Sequence, residues 1–403
     1  MNLPGSNSRL VSRASVATLL TFFVSGFSLA SFLSRIPTLR DALELSPAPM
    51  GSLLLVGAVG SVLSMPSSGP LVGRFGPRNT VWASFAVWAS GLTGVIVAFE
   101  ARNIAAVAVC LFFTQAGTSL ANSTMNVEGG YVELLAKRSI MPWYHAAFSV
   151  GTVVAAALGA TVLYFHIGFA WHMGFVIVVT IGIMVWAGLN YLPQDVVADM
   201  TMDESGATAR TARAWKEKRT LLIGVLVFGT GLLEGAANDW LALAMVDGFQ
   251  VTPAHGTATL ALYLTVLTAT RLVSPALLRR WSADRLVRVL LIGAAIGVLM
   301  LAISPWLGLA LFGVVAWGIG ASLGFPSAAS ALSRQPAMAA ARLSVLSTLG
   351  YGAFLAGPPT IGYIAEFIGY RYALGFVVIP VLLSIALTPY LRAEPTDSHP
   401  VLD

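Results

Sequence analysis

The sequence predicts an all-helical protein that crosses a membrane many times, and three observations support this. Hydrophobic residues make up 57% of the 403 residues and charged residues only 10%, whereas a soluble domain has about 25% charged residues. The mean hydropathy is +0.80. The apolar residues also form long runs, and a helix of about 20 such residues crosses the ~30 Å core of a bilayer.

Twelve apolar spans can be separated in the sequence, most of them bounded by Gly, Pro or charged residues. They cover approximately residues 14–34, 47–70, 79–99, 104–125, 143–165, 169–192, 220–244, 255–278, 286–304, 307–331, 343–365 and 369–391. The longest polar segment between spans begins acidic and ends basic, as a flexible linker does. We therefore predict a six-helix bundle over 1–192, a cytoplasmic linker over 193–219, and a second six-helix bundle over 220–403 with a short cytoplasmic tail.

The distribution of basic residues predicts that both termini are cytoplasmic. With that orientation, and with Arg271 counted in the loop that follows it, cytoplasmic segments contain 19 of the 23 Lys and Arg residues, and only Arg35, Arg40, Arg102 and Arg371 fall outside. Cytoplasmic segments of membrane proteins carry this excess of positive charge. We expect the protein in a bacterial inner membrane, surrounded by lipid and acting as a monomer.

The two halves of the chain resemble each other at two places. Residues 148–169 align with 349–370 at a spacing of 201, which puts Gly151 on Gly352. The first span aligns with the seventh at a spacing of 205, which puts Gly26 on Gly231. Two parallel six-helix repeats predict pseudo-symmetric bundles with a substrate site between them near the middle of the membrane.

Composition and motifs exclude several functions. The net charge of +5 comes from basic residues scattered between spans, with no continuous basic patch for nucleic acid. The single cysteine, Cys110, has no disulfide partner. No metal-ligand spacing or nucleophile–base arrangement is present. We expect no metal, no cofactor and no enzymatic activity.

The seventh span carries acidic residues within an apolar run, and we place the central site there. Glu234 lies roughly 20 Å along the helix from Leu221, near the membrane midplane. Asn238 is one turn further on the same face. Asp239 is rotated by about 140° from Glu234 and lies nearer the outer end.

Two interpretations of Glu234 are open. As a cavity carboxyl it would take up and release a proton during transport, since ionisable groups inside a membrane are functional by default. As a structural group it would pair with an interior arginine or cap an unwound turn at Gly235. We favour the first. Arg271 also has two interpretations. Its side chain could bind an anion or a carboxylate, or it could extend to the cytoplasmic surface. We slightly favour the extension.

Further polar and aromatic residues could line a substrate cavity. Amide side chains both donate and accept hydrogen bonds, which suits neutral polar solutes; equally, they could join neighbouring helices. The candidates are Gln115, Asn122, Asn126, Phe22, Ser25 and Trp317. For each of them, and for the aromatic residues most of all, packing is the stronger expectation.

Three titratable residues flank the predicted cytoplasmic loop 126–142, namely Glu128, Glu133 and His145. A histidine beside carboxylates could relay protons. We expect His145 to brace a gate instead.

Residues 69–78, GPLVGRFGPR, resemble the loop motif G-x-L-a-D-R-x-G-R-R of the major facilitator superfamily. Gly69, Leu71, Arg74, Gly76 and Arg78 match it, whereas Gly73 stands where the family has Asp and Pro77 where it has Arg. The resemblance implies that this loop is a gate latch. The glycines would permit a tight turn and close helix approach, and the missing Asp removes a charge from the latch.

The resemblance covers the whole chain. The segments HAAFSVG at 145–151, EGAANDW at 234–240 and GYGAFLAGPPTIG at 350–362 are similar to a bacterial branch related to the sugar permeases, fucose permease among them. Those permeases use carboxylates in the first and fourth helices, but here the first span has none and the fourth has only Glu128 at its cytoplasmic edge.

The resemblance implies secondary active transport of a small solute by alternating access, which we expect to be coupled to protons through Glu234. The alternatives are export of drugs or metabolites by the same fold, and a receptor or scaffold that transports nothing. The fifth span lacks the G-P-x-x-G-G motif of the drug exporters, and the linker and tail are short for a sensor.

Overall fold

A computed structural model describes residues 5–194, 196 and 207–392 of the protein. Every regular element within these residues is a helix. The chain divides into two compact units. The first comprises Met1–Met202 and Val251–Leu264, and the second comprises Asp203–Gln250 and Thr265–Asp403.

The first unit is built mainly from seven helices within the described residues. These are α1 (Gly5–Leu33), α2 (Ile36–Ala42), α3 (Pro47–Ser64), α4 (Ser68–Glu100), α5 (Ile104–Ala136), α6 (Met141–Tyr164) and α7 (Phe169–Leu189). A 3-10 turn over Met65–Ser67 joins α3 to α4.

The following helices belong to the second unit, apart from the first half of α10. They are α8 (Ala207–Ala214), α9 (Lys218–Phe249), α10 (Pro253–Leu278), α11 (Ala283–Ile303), α12 (Leu307–Ala321), α13 (Gly324–Leu332), α14 (Pro336–Ile368), α15 (Tyr370–Gly375) and α16 (Val378–Leu387). A 3-10 turn over Thr388–Leu391 ends the described part.

Eleven helical runs in the described residues are long and apolar enough to cross a membrane. The sequence predicts twelve spans, and the difference lies in Pro47–Glu100, a single run of 54 residues. At 1.5 Å per residue this run is about 80 Å long, more than twice the bilayer core. Gly76 interrupts it with a φ of +75°, a backbone conformation that glycine adopts without steric cost.

Helix α1 lies at the centre of the first unit, packed against α5, α6 and α7. Phe22 and Ala17 on it are fully buried. The hydroxyls of its buried threonines are satisfied within the helix, because Thr18 donates to the Ala14 carbonyl and Thr21 to the Ala17 carbonyl. This explains how a helix with many Ser and Thr residues can lie inside an apolar unit.

Two glycines bring the backbones of α1 and α6 into direct contact. A Cβ atom on Gly26 would collide with the carbonyl of Phe148, and one on Gly151 would collide with the carbonyl of Phe23. The second unit packs α9 against α14 at the corresponding glycine, where a Cβ on Gly231 would lie 3.0 Å from the Ala353 Cβ atom. Small residues permit such close crossings between membrane helices.

Helix α9 is the most buried of the long apolar helices in the described part of the second unit. It packs against α13, α14, α15 and α16. Its beginning is fixed by a charged contact. Glu217, directly before α9, accepts hydrogen bonds from the Arg342 Nε atom at 2.6 Å and from the Thr220 hydroxyl at 2.9 Å. Burial favours the neutral acid, but the hydrogen bonds from Arg342 and Thr220 outweigh it and lower the pKa of Glu217 below its ordinary value of 4.5.

Replacing Gly151 by leucine should separate α1 from α6, because the side chain would occupy the position of the Phe23 carbonyl. We expect a loss of folded protein, or a fall of several degrees in Tm. Thermal unfolding of the purified protein in detergent measures this. Gly182→Ala is the matched control, since a Cβ there meets nothing within 4 Å; an equal Tm for the two variants would contradict the close crossing.

The contact at Glu217 should make stability depend on pH. Its folded pKa is lowered, so its contribution is present above the unfolded value of 4.5 and is lost as pH falls through the folded value. At neutral pH we expect Glu217→Gln to be less stable than wild type by about 1–2 kcal/mol.

That difference should shrink as the pH of the thermal unfolding assay is lowered below 4.5. The exposed Glu100→Gln is the control and should show no such dependence. A stability difference that stays constant with pH would argue against a charged contact.

Candidate functional site

The candidate site of the second unit is centred on Glu234, halfway along α9. Its side chain is 29% exposed, so it is neither sealed in the core nor open to solvent. The helix continues without a break through Gly235. Of the two structural alternatives for Glu234, the structure therefore shows the pair with an interior arginine and not the unwound turn at Gly235.

That arginine is Arg271, on α10. Its Nη2 atom donates to Glu234 Oε2 at 2.8 Å, and its own side chain is also 29% exposed. The sequence slightly favoured an extension of Arg271 to the cytoplasmic surface. The structure instead shows the alternative, an interior pair, because Glu234 is within reach and removes the cost of the arginine charge.

Arg271 has a second acceptor on a third segment. Its Nε atom donates to the carbonyl of Ser322 at 3.0 Å. Ser322 follows the last residue of α12, and α13 begins two residues later, so the predicted span 307–331 is broken here. The last carbonyls of a helix lack intrahelical donors and carry partial negative charge. Arg271 therefore stabilises the break both by a hydrogen bond and by its charge.

The charge of Arg271 is neutralised by its surroundings. The guanidinium has the carboxylate on one side and the carbonyl end of α12 on the other.

The two other polar residues of α9 differ in their surroundings. Asn238 lies one turn from Glu234 and is half-buried, and its Oδ1 atom is buried with no hydrogen-bond partner among the described residues. Asp239 is also half-buried, and neither an ion pair nor a hydrogen bond links it to another described residue. Asn238 thus offers an acceptor on the same face as the ion pair.

The predicted cavity residues of the first unit fall into two groups. Gln115, Asn122 and Asn126 are all half-buried on α5. Asn126 donates to the Asn122 carbonyl at 2.7 Å, and Asn122 Oδ1 is buried without a partner in the described chain. The Gln115 side chain packs against Gly57 of α3. The two asparagines thus keep hydrogen-bonding capacity, whereas Gln115 joins two helices.

Phe22, Ser25 and Trp317 are packing residues in this structure. Phe22 is fully buried and stacks on Tyr144 at 5.5 Å between ring centroids. Ser25 is 2% exposed and donates to the sulfur of Met125 at 3.4 Å. Trp317 is fully buried, with its backbone against Gly297 of α11. Their burial favours the packing interpretation that the sequence left open.

The loop motif adopts a turn at one of its glycines. Gly76 has the positive φ that interrupts α4, whereas Gly69 and Gly73 are exposed and a Cβ on either meets nothing within 4 Å. Arg74 is exposed and lies over the ring of Phe75. The guanidinium of Arg78 lies 4.6 Å from the ring centroid of Trp82. The close helix approach expected of the glycines therefore does not apply to Gly69 and Gly73.

The residues around the α5–α6 loop have separate roles. Glu133 Oε2 accepts from the backbone amides of Ile140 and Met141 at 2.6 and 2.7 Å, and so caps the start of α6. His145 is exposed, with its ring edge-on to Phe22 at 5.2 Å. The described residues contain no group of three His, Cys, Asp or Glu side chains that could hold a metal ion.

Glu128 is fully buried. Its Oε1 atom accepts from the Leu192 amide at 2.8 Å, because the chain beyond α7 lies against α5. Its Oε2 atom has no hydrogen-bond partner in the described part of the chain.

Sequence reasoning missed the break between α12 and α13. Gly324 and Pro326 follow it directly and could have signalled an interruption, although they lie within an apolar run. The charge distribution indicated only that Arg35 lies outside the cytoplasmic segments, whereas the structure buries that residue to 2% exposure.

Comparisons with known proteins agree with this architecture. The sequence matches the profile of the Major Facilitator Superfamily over residues 18–353. It is 28% identical to an uncharacterised MFS-type transporter of Yersinia pestis, over 92% of this chain and 94% of that protein.

Two solved structures share the fold. The nucleoside transporter NupG has a TM-score of 0.73 at 14% identity, covering 96% of this chain and 100% of that one. FucP, a Major Facilitator Superfamily transporter in the outward conformation, has a TM-score of 0.65 at 13% identity, covering 94% and 99%. Since the family profile spans most of the sequence, this chain belongs to the Major Facilitator Superfamily of membrane transporters.

Proposed function

We propose that this protein is a secondary active transporter that moves a small polar solute by alternating access and couples the movement to protons through Glu234. The contact between Glu234 and Arg271 carries the proposal. It places a titratable carboxyl halfway along a membrane helix, 29% exposed and bonded at 2.8 Å to a different helix. A carboxyl in this position can exchange a proton and change a helix contact by doing so.

The coupling follows from charge balance. With Glu234 ionised, the pair is neutral and holds α9 to α10. With Glu234 protonated, the arginine loses its counter-charge in a region of low dielectric, which is unfavourable. Substrate binding and the proton would then act on the same contact. A proton moving down 100 mV supplies about 2.3 kcal/mol, which sustains a several-tens-fold gradient of a neutral solute.

The membrane topology is part of this proposal. The 54-residue run Pro47–Glu100 is too long for one crossing and is interrupted at Gly76. We propose that it crosses twice, which gives twelve crossings with both termini cytoplasmic in a bacterial inner membrane.

The substrate class is proposed from two kinds of support. Asn122 and Asn238 each keep a buried amide oxygen without a partner among the described residues, and such acceptors suit hydroxyl or amino groups. The structural neighbours include a nucleoside transporter and a fucose:proton symporter. Monosaccharides and nucleosides are therefore the first solutes to test.

Replacing Glu234 by glutamine should abolish proton-driven accumulation and leave solute exchange, because the amide cannot be ionised but keeps the shape of the side chain. Proteoliposomes with an imposed pH gradient, a labelled monosaccharide and nucleoside panel, and an enclosed pH dye would measure both fluxes. The exposed Glu100→Gln is the matched control. Unchanged accumulation by Glu234→Gln would contradict the coupling role, and no flux of any panel solute by wild type would contradict the substrate class.

Replacing Arg271 alone should destabilise the protein more than replacing it together with Glu234. We expect Arg271→Gln to lower stability by about 1–3 kcal/mol, since it leaves a partly buried carboxylate unpaired. The double variant with Glu234→Gln should recover part of this loss. Thermal unfolding of both variants, with the exposed Arg280→Gln as control, tests the pair. Strictly additive losses would mean that the two side chains do not interact.

A further inference from the structure

Arg35 is a buried cation that makes one side-chain hydrogen bond. It lies in the turn between α1 and α2 and is only 2% exposed. Its Nη2 atom donates to the Ile167 carbonyl at 2.9 Å, and its guanidinium carbon lies 6.0 Å from the Phe169 ring centroid. Its Nε and Nη1 atoms are buried without a hydrogen-bond partner, and among the described residues no carboxylate pairs with it. A buried charge without a counter-charge is expensive.

Two further buried side chains with unused polar atoms lie nearby. Ser31 precedes Arg35 by four residues near the end of α1, is fully buried, and its hydroxyl has no partner in the described structure. His172 is 2% exposed, and neither of its ring nitrogens has a partner among those residues. His172 lies one helical turn after Phe169 on α7, and the Phe169 ring is the one that the Arg35 guanidinium approaches. The three side chains together leave five buried polar atoms unsatisfied.

The same place contains the beginning of a long helix. Helix α7 starts at Phe169, and its N-cap residue, Gly168, offers no side-chain acceptor to the first amides. Arg35 bonds to Ile167, directly before this cap. The N-terminus of a helix carries partial positive charge and unpaired N–H groups. The guanidinium of Arg35 thus lies beside the residue before a helix N-terminus, and no carboxylate of the described residues pairs with it.

A water molecule would supply hydrogen bonds here but no charge, whereas an anion would supply both. We propose that Arg35, Ser31, His172 and the first turn of α7 form a buried site for a small monovalent inorganic anion of the size of chloride. All three side chains are buried, which favours a small anion over a large one. The site lies entirely in the first unit and does not depend on the proposed role of Glu234.

Thermal unfolding of the purified full chain in detergent tests the site at constant ionic strength. Sodium gluconate is replaced stepwise by sodium chloride or bromide. We expect the Tm of wild type to rise saturably with either halide, because a ligand of the folded state stabilises it. Arg35→Gln should lose this dependence. Ser31→Ala, a smaller change, should fold and require a several-fold higher halide concentration for the same shift.

Arg102→Gln is the matched control, since Arg102 is also an arginine of the first unit but its side chain is 73% exposed. It should keep the wild-type halide response. A crystal grown in bromide should show an anomalous peak beside the Arg35 guanidinium. A wild-type Tm that is equal in all three salts, an unchanged halide response in Arg35→Gln, or a water in place of the bromide peak would each overturn the proposal.

Discussion

Arg271 holds together three segments of the second unit, and the low dielectric of an apolar helix bundle makes this necessary. A guanidinium at this position needs a counter-charge, which Glu234 supplies from α9 at 2.8 Å. The broken backbone between α12 and α13 needs donors, and the same guanidinium supplies one to the Ser322 carbonyl. Glu234 thus compensates the charge of Arg271, and Arg271 in turn supplies a donor to the helix break.

The first unit meets the same constraint with backbone groups. Glu133 accepts from two amides at the start of α6, and Glu128 accepts from the amide of Leu192. Amides at segment ends are unpaired donors, so a carboxylate that reaches them satisfies both sides. Arg35 has no such acidic partner among the described residues. The two units therefore share their helix packing at Gly26 and Gly231 but differ in how they accommodate charge.

Hydropathy predicted where helices lie but not how far they extend. The predicted span 104–125 corresponds to α5, which continues to Ala136 through Glu128 and Glu133. A polar residue ends a hydropathy window, but it does not end a helix whose backbone hydrogen bonds continue. The loop motif correctly located the turn between the second and third predicted spans, since Gly76 has a positive φ. It could not indicate that helical structure would continue on both sides of that residue.

The composition of the candidate site was predictable, whereas its pairing could be predicted only as one of several alternatives. Glu234 stands out in the sequence because an acid is rare in an apolar run. Its bond to Arg271 joins residues 37 positions apart on two helices, and such a contact depends on helix rotation, which one sequence does not specify. For Phe22 and Trp317 the sequence favoured packing, since aromatic residues at helical spacing usually lie between helices, and the structure buries both.

The two acceptors of Arg271 also set the order in which this protein could change during evolution. A lineage that replaces Glu234 first still has the Ser322 carbonyl to hold the arginine, so the interrupted span can persist. A lineage that replaces Arg271 first loses the contacts of two segments at once. Loss of the acid alone would leave the helix break with its donor but the arginine without a counter-charge, so the interrupted span would persist at a cost in stability while the titratable group is lost.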